Sequence, residues 1–174
     1  MKHKIRQFII ASVILLTVFC LIFIFGNSLK DGTESGEQSM AVKRMLVAIA
    51  DFFGIEGNIN IAELRNLAHV AEFSLLGLCM GLLSLYLARR KHPAYFLRYI
   101  FFVLASVGAG IFVAIIDELI QLTSAGRACE IKDVLLDTVG IVVGNILAIL
   151  LYFVVIIIRK QIEKAQREKF SKNY

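Results

Sequence analysis

The pattern of hydrophobic positions along the chain predicts four membrane-spanning helices. Continuous apolar runs cover residues 8–25, 70–87, 99–116 and 138–158. A helix rises about 1.5 Å per residue, so a run of about 20 apolar residues crosses a hydrocarbon layer about 30 Å thick. The runs are continuous and lack the alternation of barrel strands, and irregular backbone cannot face lipid. The pattern therefore predicts a single all-α membrane domain with four transmembrane helices.

The polar interval between the first two runs is predicted to contain one short helix. Residues 27–36 are rich in turn formers, which predicts loop. Residues 39–53 are apolar but too short to span, so we expect a helix that lies on the outer leaflet or packs on top of the bundle. Asn60, followed three residues later by Glu63, has the pattern of an N-cap, which predicts that the second membrane helix begins near Ile61.

The distribution of charge predicts the orientation of the chain. Basic residues precede the first run, separate the second run from the third, and fill the tail at residues 159–174. Because Lys and Arg in short loops stay on the cytoplasmic side, we expect both termini to be cytoplasmic and the loop at residues 26–66 to be outside. This topology places 13 of the 19 Lys and Arg residues inside and 12 of the 14 Asp and Glu residues outside.

Composition narrows the class of protein and its partners. A chain that is 58% hydrophobic is too apolar for a soluble fold. The basic tail would lie beside the inner leaflet, so membrane lipids are the expected partners. The tail lacks a nucleic-acid-binding fold and interleaved aromatic residues, and we expect no nucleic acid partner. Cys20 and Cys79 lie inside predicted spans and Cys129 in a loop, which indicates apolar fillers and one free thiol outside the membrane.

Helical periodicity places small residues on faces that also carry acids. At 100° per residue, one face of the third span holds Ser106, Gly110, Ala114, Asp117 and Gln121. One face of the fourth span holds Asp133, Asp137, Gly140, Gly144 and Ala148. Small residues permit close helix contact in lipid, so we expect both faces to be buried and to deliver their acids to the bundle interior. The first span is bulky throughout, which predicts a peripheral helix.

Nine polar residues lie at the predicted outer ends of the last three spans or in the loop that joins the last two: Arg65, His69, Glu72, Asp117, Glu118, Gln121, Arg127, Asp133 and Asp137. A charged side chain at the centre of a bilayer costs about 3 kcal/mol on insertion scales, so charges in such segments indicate function. We predict that these residues form one extracytoplasmic ligand-binding pocket. The alternative is a structural network of ion pairs that pins the helix ends.

The chemistry of this pocket stays open between catalysis and binding. His69 with Asp117 or Glu118 can act as acid and base, and these three are the candidate catalytic residues. The sequence His69-x-x-Glu72 lacks the second histidine of a zinc-protease helix, and the acids follow no metal-binding spacing. We therefore predict no metal and no other cofactor, with a divalent cation held by the imidazole and carboxylate oxygens as the alternative.

Two arginines are candidates for contact with an anionic ligand. Arg65 or Arg127 can hold a phosphate or carboxylate through two parallel hydrogen bonds. Gly126 gives the loop the freedom to present Arg127. The alternative for Arg127 is a salt bridge to Asp133.

Three segments carry a family resemblance: Ser28-Leu-Lys-Asp-Gly32-x-x-Ser35-x-x-x-Ser39, then Arg65-Asn-Leu-Ala-His69-Val-Ala-Glu72-Phe-x-x-Leu-Gly77, then Asp117-Glu118-x-x-Gln121-x-x-x-x-Gly126-Arg127-x-x-x-x-x-Asp133-Val-x-x-Asp137-x-x-Gly140-x-x-x-Gly144. Together they resemble the VanZ-like family of bacterial membrane proteins over residues 25–144. Position 137 is most often asparagine in that family, so the acid here adds one negative charge near the predicted pocket.

The resemblance implies a multi-pass protein of the bacterial plasma membrane. The founding member of the family is associated with resistance to the glycopeptide teicoplanin. Our leading hypothesis is an outer-face pocket that binds an anionic or glycopeptide-like amphiphile. Arg65 and Arg127 would contact its anionic groups, with Asp117, Glu118 and Asp133 fixing the geometry.

Two alternative functions stay open. One is a membrane enzyme that acts on a lipid-linked wall precursor. The other is a scaffold for another envelope protein, in which Gly140 and Gly144 contact a second chain. The oligomeric state is not predicted.

Overall fold

Five α-helices make up the described part of the chain, which comprises residues 2–52, 60–91, 96–127 and 129–171 of a computed structural model. They are α1 (Lys2–Ser28), α2 (Gly32–Phe52), α3 (Ile61–Lys91), α4 (Phe96–Gln121) and α5 (Ile131–Ser171). All except α2 are long and apolar enough to cross a membrane. The predicted all-α architecture with four membrane helices is confirmed, whereas the cytoplasmic location of the termini stays a prediction.

Parts of the predicted segments lie outside the described residues: residues 53–59 of the outer loop, which include the last residue of the short helix, residues 92–95 between the second and third runs, residue 128 and residues 172–174 of the tail. The rest of the basic tail continues α5 as helix. Its Glu, Lys, Gln, Arg and Ala residues are good helix formers, so the helix extends well beyond the apolar run. An ion pair between Lys164 and Glu168, with a 3.9 Å separation of Nζ and Oε1, lies on its surface.

The start of α2 corrects the prediction that residues 27–36 are loop. Oδ1 of Asp31 accepts hydrogen bonds from the backbone N–H of Thr33 at 2.9 Å and of Glu34 at 2.8 Å. The Thr33 hydroxyl donates to the same oxygen. This side chain satisfies backbone donors that have no partner within the helix, so the helix begins at Gly32 despite its weak helix formers.

The start of α3 agrees with the predicted N-cap. Oδ1 of Asn60 accepts a hydrogen bond from the backbone N–H of Ala62 at 3.0 Å. The helix therefore begins at Ile61, one residue after its cap.

The closest packing in the bundle is between α3 and α5, through glycines. A Cβ added to Gly140 would lie 2.7 Å from the carbonyl oxygen of Val70. A Cβ added to Gly144 would lie 2.5 Å from the backbone N of Leu78. The backbones of α3 and α5 touch because no side chain separates them, as expected for small residues in lipid. These glycines therefore pack inside one chain.

The buried faces of α4 and α1 follow from the apolar pattern. The buried residues of α4 are the five predicted ones together with one more acid: Ser106, Gly110, Ala114, Asp117, Glu118 and Gln121. The α1 helix is peripheral over most of its length, with Phe8 74% exposed. Its last turns enter the core, where Ile24 and Ser28 are buried.

Candidate functional site

Four helix ends meet at one end of the bundle, which we call the polar end: the C-termini of α1 and α4 and the N-termini of α3 and α5. The segment after α4 packs against the corner between α1 and α2. The Ser124 hydroxyl donates to the carbonyl oxygen of Ser28 at 2.9 Å. The backbone N–H of Gly32 donates to the carbonyl oxygen of Ala125 at 3.0 Å. Gly126 has a φ of 74°, a left-handed conformation that glycine adopts without strain.

Asp117 is fully buried and held by two hydrogen bonds. The Ser28 hydroxyl donates to Oδ1 at 2.5 Å. Nε2 of Gln121, one helical turn further along α4, donates to Oδ2 at 2.9 Å. An ionised carboxylate has about four acceptor positions, so each oxygen retains a lone pair. Asp117 is thus fixed in place, and its oxygens can still accept further hydrogen bonds.

Asp137 is also fully buried, but no described residue donates a hydrogen bond to it. Nδ1 of His69, on α3, lies 3.4 Å from Oδ1 of Asp137, which is close enough for electrostatic attraction. The two groups are not aligned as a hydrogen bond. Within the described residues, neither oxygen of Asp137 accepts a hydrogen bond, and Nδ1 of His69 makes none. This carboxylate therefore has more acceptor capacity than the neighbouring side chains use.

His69, Asp117 and Asp137 come together from three different helices. Each offers one ligand atom, and these atoms all lie within 4.8 Å of one another. We call these three residues the polar triad. From the rise per residue, they lie about 6 to 12 Å inside the ends of their helices. The triad is therefore an internal feature of the bundle and not part of a surface loop.

Glu118 and Glu72 join helices beside the triad. Oε2 of Glu118 accepts the backbone N–H of Glu130 at 3.0 Å, just before α5 begins. Its Oε1 is buried without a hydrogen-bond partner among the described residues. Nδ2 of Asn27 donates to Oε1 of Glu72 at 3.3 Å, which links α1 to α3. Both acids therefore support the packing of the polar end.

Arg127 contacts backbone carbonyls and not an acid. Its Nη1 donates to the carbonyl oxygens of Asn27 at 3.1 Å and Ser28 at 3.3 Å, where a cation complements the C-terminal end of the α1 dipole. In the described part of the chain no carboxylate lies within salt-bridge distance of Arg127, so the alternative pairing with Asp133 is not formed. Burial, with repulsion from Arg65, lowers the pKa of the Arg127 guanidinium.

The predicted site residues therefore divide into three groups. The triad residues lie together and Gln121 donates a hydrogen bond to Asp117, whereas Glu72, Glu118 and Arg127 hold neighbouring elements. Arg65 is exposed, and Asp133 is half-buried in the first turn of α5. The sequence reasoning missed Ser28 as a partner of Asp117 and Asn27 as a partner of Glu72. Ser28 begins the first segment of the family resemblance, which is the signal that could have drawn attention to it.

Four apolar helices, three of which supply a polar triad at one end of the bundle, define a multi-pass membrane protein. The family model described as VanZ/LLP1 matches residues 13–155, and the chain belongs to this family. The predicted resemblance is confirmed. No curated protein and no solved structure matches the chain.

Proposed function

We propose that this VanZ/LLP1 protein contributes to resistance against teicoplanin-type glycopeptides in the bacterial plasma membrane, by binding an amphiphile at the polar end. The observation that carries the proposal is the Asp137 carboxylate, which is fully buried and accepts no hydrogen bond from described residues. The family match supports the envelope setting. In the topology predicted from charge, the polar end is extracytoplasmic.

A purely structural ion-pair network explains this carboxylate poorly. A buried polar atom without a partner costs about 1 to 3 kcal/mol, and more when it is charged. A network selected only to pin helices would therefore pair both oxygens of Asp137. Asp117, on the preceding helix α4, shows such pairing through Ser28 and Gln121. The difference between the two acids favours a site that an additional group completes.

The polar end carries charges of both signs. They fit the hydrogen-bond donors and the anionic groups of a glycopeptide or wall-precursor amphiphile. The triad offers carboxylate oxygens, which accept hydrogen bonds from ammonium, amide and hydroxyl groups. Arg65 is exposed, and Nε of Arg127 is buried without a hydrogen-bond partner among the described residues. These two side chains would supply positive charge for carboxylate or phosphate. Arg127 would be positioned by the α1 carbonyls and not by an acid.

Drug susceptibility tests this proposal. The wild-type gene is expressed in a glycopeptide-susceptible bacterium beside an empty vector, Asp117→Ala and the control Glu63→Gln. Glu63 is an exposed acid in the first turn of α3 and lies outside the triad. The wild type and the control should raise the inhibitory concentration of teicoplanin several-fold, whereas Asp117→Ala should match the vector. Full protection by Asp117→Ala at an equal membrane level contradicts the proposal.

One observation favours an enzyme as the second candidate function. His69 lies 3.4 Å from Asp137, a carboxylate that can orient the imidazole as a general base. The substrate would be a lipid-linked wall precursor that reaches the polar end. Product profiles of membranes should then contain a product that disappears with His69→Ala. Identical product profiles in the strains that express the wild type and His69→Ala contradict this candidate.

The glycine surface proposed for the scaffold function is already occupied within the chain. It required Gly140 and Gly144 to contact another chain, but both glycines pack against α3 of the same chain. Crosslinking through Cys129, which is exposed, tests any scaffold role that uses a different surface.

A further inference from the structure

The atoms of the polar triad form a set of donors that suits a metal ion. One histidine nitrogen and two carboxylate oxygens lie within 4.8 Å of one another. Imidazole favours zinc and other first-row transition metals, and carboxylates bind zinc and manganese well. The three residues come from α3, α4 and α5, so one ion would bridge three helices. The sequence predicted no metal because these residues, far apart in the chain, form no metal-binding motif.

We propose that His69, Asp117 and Asp137 bind one divalent transition-metal cation, Zn²⁺ or Mn²⁺. The metal proposal rests on the proposed function in one respect. Both require that the triad binds an additional group and is not a complete ion-pair network. The second observation that supports the metal proposal is the lack of hydrogen bonds to buried polar atoms of the triad. Both oxygens of Asp137 and Nδ1 of His69 are buried and lack hydrogen bonds among the described residues.

A cation explains these unpartnered atoms more economically than an ion pair alone. Two carboxylates buried beside each other repel, and one histidine cation cannot balance both. A divalent cation between them would neutralise both charges and engage the imidazole nitrogen. Asp117 shows the surroundings expected of a metal ligand, since Ser28 and Gln121 hold its oxygens and leave lone pairs for coordination.

The separations require only a modest closure around a cation. Ligand atoms about 2.1 Å from a tetrahedral metal lie about 3.4 Å from one another. The His69 and Asp137 atoms are already 3.4 Å apart. The full set lies within 4.8 Å, so rotation of side chains by about 1 Å would complete the arrangement. Three protein ligands leave a fourth position for water or for a polar group of the bound amphiphile.

Metal content of the purified full-length protein tests the proposal. Wild-type protein in detergent is loaded with Zn²⁺ or Mn²⁺, freed of excess by gel filtration, and analysed by elemental mass spectrometry. We expect about one ion of one of the two metals per chain in the wild type. His69→Ala and Asp137→Asn should lose most of it. The matched control is Glu63→Gln, which removes an exposed acid from the helix that carries His69 but lies outside the triad, and it should retain the metal.

The fold of each variant is checked by circular dichroism and gel filtration. If Asp137→Asn fails to fold, Asp117→Asn replaces it, because Asn retains an acceptor for Ser28. Absence of both metals from loaded, folded wild type overturns the proposal without reference to any variant. Equal metal content in wild type and in folded triad variants also overturns it, since the ion would then be bound elsewhere.

The outcomes separate the metal site from the proposed function. If the wild type takes up no metal but Asp117→Ala abolishes glycopeptide protection, the metal proposal is wrong and the function proposal stands. If the triad binds metal but Asp117→Ala leaves protection intact, the metal site stands and the proposed function is wrong.

Discussion

The hydroxyl of Ser28 donates a hydrogen bond to Oδ1 of Asp117 across 2.5 Å, joining the last turn of α1 to the buried face of α4. Hydrogen bonds to a charged acceptor are shorter and stronger than neutral ones. This bond connects the peripheral helix α1 to one of the two acids of the polar triad. It also makes Ser28 part of the support for the polar triad.

Replacement of Ser28 by Ala should therefore destabilise the protein by about 1 to 3 kcal/mol, because Asp117 would lose one of its two donors while remaining buried. Thermal unfolding in detergent measures the change. Ser39→Ala is the control, since the Ser39 hydroxyl donates to the Ser35 carbonyl oxygen of its own helix. Equal losses in the two variants would show that the Asp117 contact is unimportant for stability.

The glycine contacts between α3 and α5 predict a large effect from a single methyl group. Gly144→Ala should destabilise the protein by about 1 to 3 kcal/mol, because the new Cβ would collide with the backbone of Ser74 and Leu78. Gly108→Ala is the matched control on α4, where a Cβ meets nothing within 4 Å and helix propensity improves. Unfolding in detergent compares the two, and a Gly144→Ala variant as stable as Gly108→Ala contradicts the close contact.

Arg127 should hold the polar end together through its bonds to the α1 carbonyls. In Arg127→Ala, the amide of Gly32, which is bonded to Ala125, should exchange with solvent faster. Hydrogen exchange with mass spectrometry measures this segment. Lys132→Ala removes an exposed cation from the first turn of α5 and should leave exchange unchanged. Unaltered exchange in Arg127→Ala would remove the structural role assigned to this residue.

The N-cap of α2 should open in acid. Hydrogen bonds from the Thr33 hydroxyl, and next from the Glu34 backbone amide, hold the pKa of the Asp31 carboxyl below its usual value. A lowered pKa means that the cap contributes fully above the usual value of about 3.9 and is lost as pH falls through the lower folded value. We expect the NMR shifts of Thr33 and Glu34 to titrate below about pH 4.

The equivalent cap of α3 provides an internal control for this titration. Asn60 does not ionise, so the amide of Ala62 should keep its shift over the same range. Asp31→Asn should likewise keep its cap in acid. Titration of Thr33 that persists in Asp31→Asn would assign the transition to another group.

Sequence periodicity predicted the buried faces well, for a physical reason. In lipid, a helix buries its small and polar face and exposes its bulky face, so the spacing from Ser106 to Gln121 fixed which side of α4 is internal. Glu118 is the exception, because it turns inward to accept the Glu130 amide. The start of α2 was predicted wrongly because one side chain, Asp31, overrides the weak helix propensity of its neighbours.

The triad itself could not be predicted from spacing. The sequence placed His69, Asp117 and Asp137 at the same end of the bundle, but their mutual distances depend on how three helices pack. That packing depends on which helix faces the predicted small residues Gly140 and Gly144, and the structure shows that it is α3. The same limit hid the pairing of Ser106 with Asn145, whose Oγ and Oδ1 atoms are 2.9 Å apart.

The central claim is that the triad forms part of a binding site for an amphiphile. Direct binding of teicoplanin to the protein in lipid nanodiscs is the measurement that tests it. The wild type is compared with the neutral triple variant His69→Gln, Asp117→Asn, Asp137→Asn, after both are shown to be folded. The account predicts saturable binding by the wild type and binding weaker by about tenfold or more in the variant. Equal affinity of the two proteins, or no saturable binding by the wild type, would contradict it.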